Sequence, residues 1–283
     1  MKILVTGVRG QLGYDVVKEL TARGIECRGV DIDDFDLTDE SAVMAYVAAY
    51  APTAIIHCAA YTAVDKAEEM RDICYNVNVL GSRYIARAAK AVDAKLLQVS
   101  TDYVYAGDGD APHLVTDKKA PKSWYGETKA MGEDEAAAVT DKLFIVRTAW
   151  AFGLNGNNFV KTMLRLGAER PEINVVCDQI GSPTYTRDLA VLLSDMIATE
   201  KYGIYHGCNE GLCSWYGFTE EIMKQAGLPA KINPIPTSEY KTAAVRPLNS
   251  RLDKTCLDEN GFNRLPAWQD ALKRYLRELN EQK

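Results

Sequence analysis

Apolar and polar positions along this chain follow two alternating periods. Short, β-rich apolar runs recur at residues 3–6, 26–30, 54–57, 95–99 and 143–147. Between them, apolar residues return at helical spacing over 11–22, 40–50, 67–92 and 125–139. Alternation of this kind predicts a parallel sheet covered by helices on both faces. Most of the strands are solid apolar runs, as expected where both faces are buried. After Trp150 the pattern changes. Helical segments at 159–168, 187–198 and 215–225 alternate with short strands, punctuated by Pro171, Pro183, Pro229, Pro234, Pro236 and Pro247. An amphipathic helix near 267–279 ends the chain. The expected organisation is a nucleotide-binding domain over 1–150 and a smaller α/β substrate lobe over 151–283, partly interleaved with it. No repeat or low-complexity segment interrupts it.

Composition narrows the classes. With 283 residues, 47% hydrophobic and 25% charged, the chain fits an ordinary globular protein with one large core or a domain plus a lobe. A net charge of −6 argues against a nucleic-acid partner, which needs a basic face. No apolar run reaches the roughly 20 residues of a membrane span, and the apolar stretch at the N-terminus is too short for a signal peptide. Seven cysteines without a Cys-x-x-Cys pair fit reduced thiols in the cytoplasm better than disulfides or zinc.

The first chemical signal is Gly7-Val8-Arg9-Gly10-Gln11-Leu12-Gly13, between the first strand and the first helix. Glycines there let the backbone approach a pyrophosphate, which sits at the positive helix end. That points to a Rossmann-type, doubly wound sheet and a dinucleotide, with Gly7, Arg9, Gly10, Gln11, Leu12 and Gly13 as its contacts. The second strand runs into Asp31, about 20 residues on, where an acid bonds the free ribose hydroxyls of NADH. Arg9 offers the opposite signal, a cation for the 2′-phosphate of NADPH, so either coenzyme fits. Asp36 and Leu37 are expected near the adenine. Thr38 or Asp39 serves equally well as a helix N-cap.

The catalytic signal is Tyr125-Gly126-Glu127-Thr128-Lys129. Tyr and Lys four apart share a helix face, and an ammonium near a phenol lowers its pKa, making Tyr125 a usable general acid. Upstream, Val99-Ser100-Thr101-Asp102-Tyr103-Val104-Tyr105 finishes an apolar strand with hydroxyls, at the edge where open α/β sheets bind ligands. Thr101 is the candidate for holding a substrate carbonyl.

In this order, glycine turn, hydroxyl-bearing strand and Tyr-x-x-x-Lys resemble the extended short-chain dehydrogenases. Longer strings resemble one family among them, the dTDP-4-dehydrorhamnose reductases. They are Cys58-Ala59-Ala60-Tyr61-Thr62-Ala63-Val64-Asp65-Lys66-Ala67-Glu68, Ser100 to Tyr105, Arg147-Thr148-Ala149-Trp150, Gly156 to Met163, Asp178 to Thr184 and Arg246-Pro247. The resemblance implies NAD(P)H-dependent reduction of the C4 ketone of a dTDP-sugar, with Tyr125, Lys129 and Thr101 catalytic. It implies that Ala59, Ala60, Tyr61 and Asn78 line the coenzyme groove, together with Tyr125 and Lys129. Thr62, Val64, Asp102, Tyr103 and Trp150 would line the sugar-nucleotide pocket. A buried core aromatic is the competing reading of Trp150. Arg246 would meet a pyrophosphate or form a surface ion pair.

Some members of the family form a dimer through carboxylates that bind Mg²⁺. Here Asp15 would fit, but Arg187 precedes Asp188 where an acid is wanted, and the last helix ends on Glu278 and Glu281. A metal-bridged dimer is therefore not expected, and monomer and homodimer both stay open. Ala106-Gly107-Asp108-Gly109-Asp110 reads as a mobile loop near the pocket, not a calcium site, since the rest of an EF-hand is missing. An epimerase or dehydratase, or a non-catalytic subunit on the same scaffold, are the alternatives. A dehydratase wants a second acid after Asp102, where Tyr103 stands, and a non-catalytic relative would lack Tyr125 or Lys129.

Overall fold

The computed structural model describes residues 1–281. Its order is β1 (Lys2–Thr6), α1 (Gln11–Ala22), β2 (Glu26–Val30), α2 (Glu40–Tyr50), β3 (Ala54–His57), α3 (Val64–Ala67), α4 (Arg71–Tyr75), α5 (Gly81–Ala91), β4 (Lys95–Thr101), α6 (Trp124–Ala137) and β5 (Leu143–Thr148). There follow β6 (Ala151–Phe152), α7 (Phe159–Glu169), β7 (Glu172–Val176), β8 (Ile180–Gly181), β9 (Thr184–Tyr185), α8 (Thr186–Ile197) and β10 (Gly203–His206). The chain ends with β11 (Cys213–Ser214), α9 (Trp215–Ala226), β12 (Lys231–Ile235), β13 (Asn249–Ser250), α10 (Thr255–Glu259) and α11 (Trp268–Glu281).

Six strands form one parallel sheet in the order β10-β5-β4-β3-β1-β2. Strands β1, β3, β4 and β5 are nearly all buried, because helices cover both faces. One core lies under α1 and α8, around Ile3, Val5, Phe144 and Leu193. The other lies under α2 and α5, around Leu4, Val43, Ile55 and Ile85. Strand β2 is the edge and reads differently. Glu26 and Arg28 are not fully buried, and only Val30 is.

The chain reverses direction across the sheet between β1 and β3, which is where open α/β sheets leave a crevice. The turns after both strands open into it. Beyond Trp150 the chain does not stay apart from the sheet: α8 packs on α1 and β10 adds the far edge strand. The remaining elements enclose a third core of Phe152, Tyr185, Phe218, Trp268 and Tyr275.

One element departs from the sequence pattern. The stretch 67–92 is not a single helix. It breaks after α3, restarts at Arg71, and carries a π-helical turn over Asn76–Leu80 before α5. Asn78 explains the turn. Its Oδ1 accepts from the Tyr61 amide at 2.8 Å, and its Nδ2 donates to the Tyr61 carbonyl at 3.2 Å and to Thr128 Oγ1 at 3.1 Å. Periodicity of apolar residues does not register such a polar tie.

Candidate active site

A cleft of about 950 Å³ runs along the carboxyl edge of the sheet. Its first end is made by the glycine turn. Gly7 sits at φ +73°, and a Cβ there would lie 2.6 Å from the Ala59 amide nitrogen, so only glycine lets the two turns meet. Helix α1 opens at Gly10 with no side-chain cap and no acid in its first turn. Its leading N–H groups are left for an anion, as a pyrophosphate site requires. The residues present therefore fit a dinucleotide.

The acidic and basic groups expected at the ribose are both here, but each is already engaged. Asp31 accepts from the Arg9 amide and the Ile32 amide, both at 2.9 Å. The Arg9 guanidinium pairs with Asp33, a partner the sequence reading did not name, and both side chains are about two-thirds exposed. Asp36 accepts from the Thr38 amide and hydroxyl, which hold its carboxyl below the usual range. The N-cap of α2 is Asp39, bonded to the amides of Ser41 and Ala42.

Across the switch point, Thr6 at the end of β1 shares a 2.7 Å hydrogen bond with His57 at the end of β3. Burial drives the His57 pKa down to about 3, so the ring stays neutral and joins the two strand ends. Ala59 and Ala60 line the cleft just beyond. Tyr61 follows them, and its backbone amide and carbonyl are both tied to the Asn78 side chain.

The second end of the cleft brings together Thr101, Asp102, Tyr103, Tyr125 and Lys129. Helix α6 is capped by Ser123, which accepts from the Gly126 amide at 3.2 Å. Gly126 lets the helix approach closely, since a Cβ would meet the Tyr103 carbonyl oxygen at 2.4 Å. Tyr125 is 9% exposed and Lys129 4%. Burial pushes the Tyr125 phenol above its ordinary value, opposed chiefly by a hydrogen bond with Thr101. Lys129 does not act on Tyr125 directly here. Its Nζ donates to the Val99 carbonyl at 2.7 Å, and burial lowers its pKa to about 8.

Asp102, buried, rises to about 6 for the same reason, while it accepts from Ser250 at 2.5 Å and from Thr101 at 3.0 Å. Tyr103 packs edge-on against the Tyr125 ring at 5.4 Å. Behind these residues Glu133, one turn past Lys129, accepts from Ser100 at 2.5 Å and takes both arms of Arg147 at 2.6 and 2.9 Å. Arg147 continues to Tyr105 at 2.6 Å, and Tyr105 to His206 at 2.7 Å. A buried ion pair is weak evidence of stability. This one ties α6 to both strands that end at the site.

Thr62 and Val64 lie on the cleft, and so does Trp150. Trp150 adopts φ +52°, uncommon for a bulky residue, and stacks on Trp215 at 3.7 Å. Phe159, 4.4 Å from Trp215, and Asn157 extend that wall. None of Trp215, Phe159 and Asn157 stood out as a site residue in the sequence. Gln11 reaches this side too, accepting from the Gly153 amide at 2.7 Å and from Asn158 at 3.0 Å.

Arg246 takes part in an ion pair, one of the two roles expected of it. It grips Asp65 with two bonds of 2.6 and 2.9 Å and lines a separate concavity of about 370 Å³ with Lys122 and Asp108. The loop 106–110 borders that concavity, where Gly107 accepts from the Asn249 amide at 2.9 Å. Asp15 is buried against Thr186, Arg187 pairs with Glu278, and Arg274 grips Asp188 at 2.6 and 2.7 Å. Asp270, an additional acid at the start of α11, bonds Arg274 as well.

Residues 1–281 match the family described as RmlD substrate binding domain. The chain belongs to that family. It is 41% identical to dTDP-4-dehydrorhamnose reductase of Aggregatibacter actinomycetemcomitans, over 96% of this chain and 97% of the relative. Its fold is similar to a crystal structure of a dTDP-4-dehydrorhamnose reductase from Clostridium acetobutylicum, with TM-score 0.97 and 41% identity over 99% of this chain and 100% of that one. It is also similar to the Bacillus anthracis enzyme of that name in complex with NADP, with TM-score 0.96 and 44% identity over 98% and 100%.

Proposed function

We propose that this chain reduces the C4 ketone of dTDP-4-dehydro-L-rhamnose with NADPH or NADH, giving dTDP-L-rhamnose as the last step in making that nucleotide sugar. The observation that carries the reading is the joining, in one cleft, of an uncapped glycine-turn helix with Thr101, Tyr125 and Lys129. Full-length similarity to enzymes of that name supports it.

When bound, the reduced nicotinamide supplies the hydride. The pyrophosphate is held by the α1 amides, with Gly7, Gly10 and Gly13 close to it. As the carbonyl oxygen gains charge, Tyr125 gives it a proton. A phenol kept neutral by burial is a ready donor at neutral pH. Thr101 bonds the same oxygen and fixes its distance from the phenol. Lys129 offers positive charge to the phenolate left behind and a donor to the nicotinamide ribose. Thr62, Val64, Tyr103 and Trp150 accept the sugar nucleotide, with Trp215 and Phe159 from the C-terminal half closing the far wall. On this reading residues 1–150 bind the coenzyme, and the lobe over residues 151–283 completes the substrate pocket. Its place is the cytoplasm, where the seven unpaired cysteines stay reduced. Dehydration is less well served, because the Asp102 carboxyl is engaged by Ser250 and Thr101.

The test mixes the purified chain with dTDP-4-dehydro-L-rhamnose and either reduced coenzyme. Sugar-dependent loss of the reduced-nicotinamide absorbance, with dTDP-L-rhamnose formed, is expected. Conversion of the sugar without net coenzyme consumption would indicate an epimerase or dehydratase. Binding without turnover would indicate a non-catalytic subunit.

A further inference from the structure

Strands β4 and β5 pair in parallel with Thr101 opposite Thr148, both at the strand ends. Residues in register project to the same face of a sheet, so Thr148 stands beside the residue placed at the substrate carbonyl. It lines the same cleft, and it is nine-tenths buried. Its Oγ1 is buried and has no hydrogen-bond partner among the described residues. Thr101 next to it is engaged, by Asp102 and the Tyr103 amide among others. A buried hydroxyl without a partner is costly and uncommon in a native fold. On the wall of a site it calls for a partner supplied by the ligand.

We infer that the Thr148 hydroxyl is a further positioning contact for the carboxamide of the bound nicotinamide, an inference that rests on the reductase function proposed above. A dinucleotide anchored at the α1 amides lies along the carboxyl edge of the sheet, across the switch point. Its adenosine half faces Val30 and Asp31 at one end of the cleft. The nicotinamide half then extends toward β4 and β5. Thr148 lies at the floor on that side, whereas the half-buried Tyr103 and Trp150 are nearer solvent, where the sugar enters. A carboxamide carries both a donor and an acceptor, and a threonine hydroxyl pairs with either. Rotation about χ1 exchanges the hydroxyl and a methyl, so reaching the ligand asks for no backbone movement. Holding the carboxamide sets which face of the ring looks toward Tyr125.

The experiment titrates NADH and NADPH into wild-type, Thr148→Val and Thr148→Ser protein, following nicotinamide fluorescence. Melting without ligand and the KM for the sugar are measured alongside. Val keeps the shape and removes the hydroxyl. Thr148→Val is expected to melt no lower than wild type, since the hydroxyl has no partner in the free protein. It should bind both reduced coenzymes about five- to tenfold more weakly, the effect of one lost hydrogen bond. Thr148→Ser should recover most of that affinity, and the sugar KM should hold. Unchanged coenzyme affinity in Thr148→Val overturns the inference, whatever its melting temperature. So does a raised sugar KM with unchanged coenzyme affinity, which would assign the hydroxyl to the sugar. Wild-type protein that binds neither coenzyme overturns the reductase reading itself, and the inference with it.

Discussion

At the end of the cleft beside β1 and β2, a ligand meets backbone amides, glycines and charges open to solvent. Arg9 and Asp33 pair there with most of their surface exposed. At the other end it meets buried side chains whose ionisation is displaced: Tyr125 pushed up, Lys129 down to about 8, Asp102 up to about 6. The first end offers shape and an uncapped helix terminus. The second holds titratable groups away from water. Substitutions at the two ends should therefore fail in different ways, one in turnover and the other in affinity.

The largest effect is expected at Tyr125. Phe keeps the ring against Tyr103 and removes only the hydroxyl. Turnover should fall by about 10²-fold or more, as for loss of a general acid, with coenzyme affinity nearly unchanged. Near-normal turnover, measured by stopped-flow or steady-state assay, would take Tyr125 out of the reaction.

Lys129→Met should come next, and it separates chemistry from stability. Turnover and coenzyme affinity should both drop. Stability should move the other way. The folded pKa of Lys129 lies below its ordinary value, so between about 8 and 10.5 the folded state binds fewer protons than the unfolded one. The lysine thus opposes folding below pH 8, and its opposition is relieved as pH rises toward 10.5. A shift of this size corresponds to about 3 kcal/mol at most. Denaturant melts at pH 7 should show Lys129→Met at least as stable as wild type, an advantage that shrinks by pH 10. A variant that is inactive and also markedly less stable at pH 7 would mean that the ammonium's bond to Val99 matters more than its burial.

At the coenzyme end, Gly7→Ala should act on affinity. The added Cβ meets the backbone of Ala59, and φ +73° is strained for any L side chain. Coenzyme Kd should rise by about tenfold or more, since roughly 1.4 kcal/mol of strain suffices for that. The sugar KM at saturating coenzyme should change little. An alanine variant with normal Kd would show that the two turns move apart freely.

These two ends were also unequally legible in the sequence. Glycine turn, β4 hydroxyls and Tyr125 with Lys129 each occupy a short stretch of chain, and their order along a strand–helix alternation specified the sheet and its edge. The opposite wall is assembled from Trp150, Phe159 and Trp215, which lie in separate elements. No local spacing announces such an encounter. Arg246 was left open between a phosphate and an ion pair because its partner, Asp65, lies far away in the chain. Strand β5, like β4, finishes on a threonine hydroxyl.

The smallest effects are expected where the exposed charges meet the ribose, and there they should differ between coenzymes. Asp31 already bonds the amides of Arg9 and Ile32, so its carboxylate holds the loop as well as facing the ribose. Asp31→Ala should weaken NADH use and also loosen the turn, lowering NADPH affinity to a lesser degree. Arg9 is held by Asp33 and must leave that partner to meet a 2′-phosphate. An exposed ion pair contributes only about 0–1 kcal/mol, whereas a charge-assisted bond to phosphate is about twice as strong as a neutral one. The exchange therefore favours phosphate modestly, and wild-type protein should prefer one coenzyme by no more than about tenfold. Arg9→Ala should reduce kcat/KM for NADPH several-fold and leave that for NADH nearly unchanged. Asp33→Ala, which frees the guanidinium, should raise kcat/KM for NADPH. If Arg9→Ala lowers both coenzymes equally, the guanidinium serves the pyrophosphate or the loop, and the discrimination lies elsewhere in the cleft.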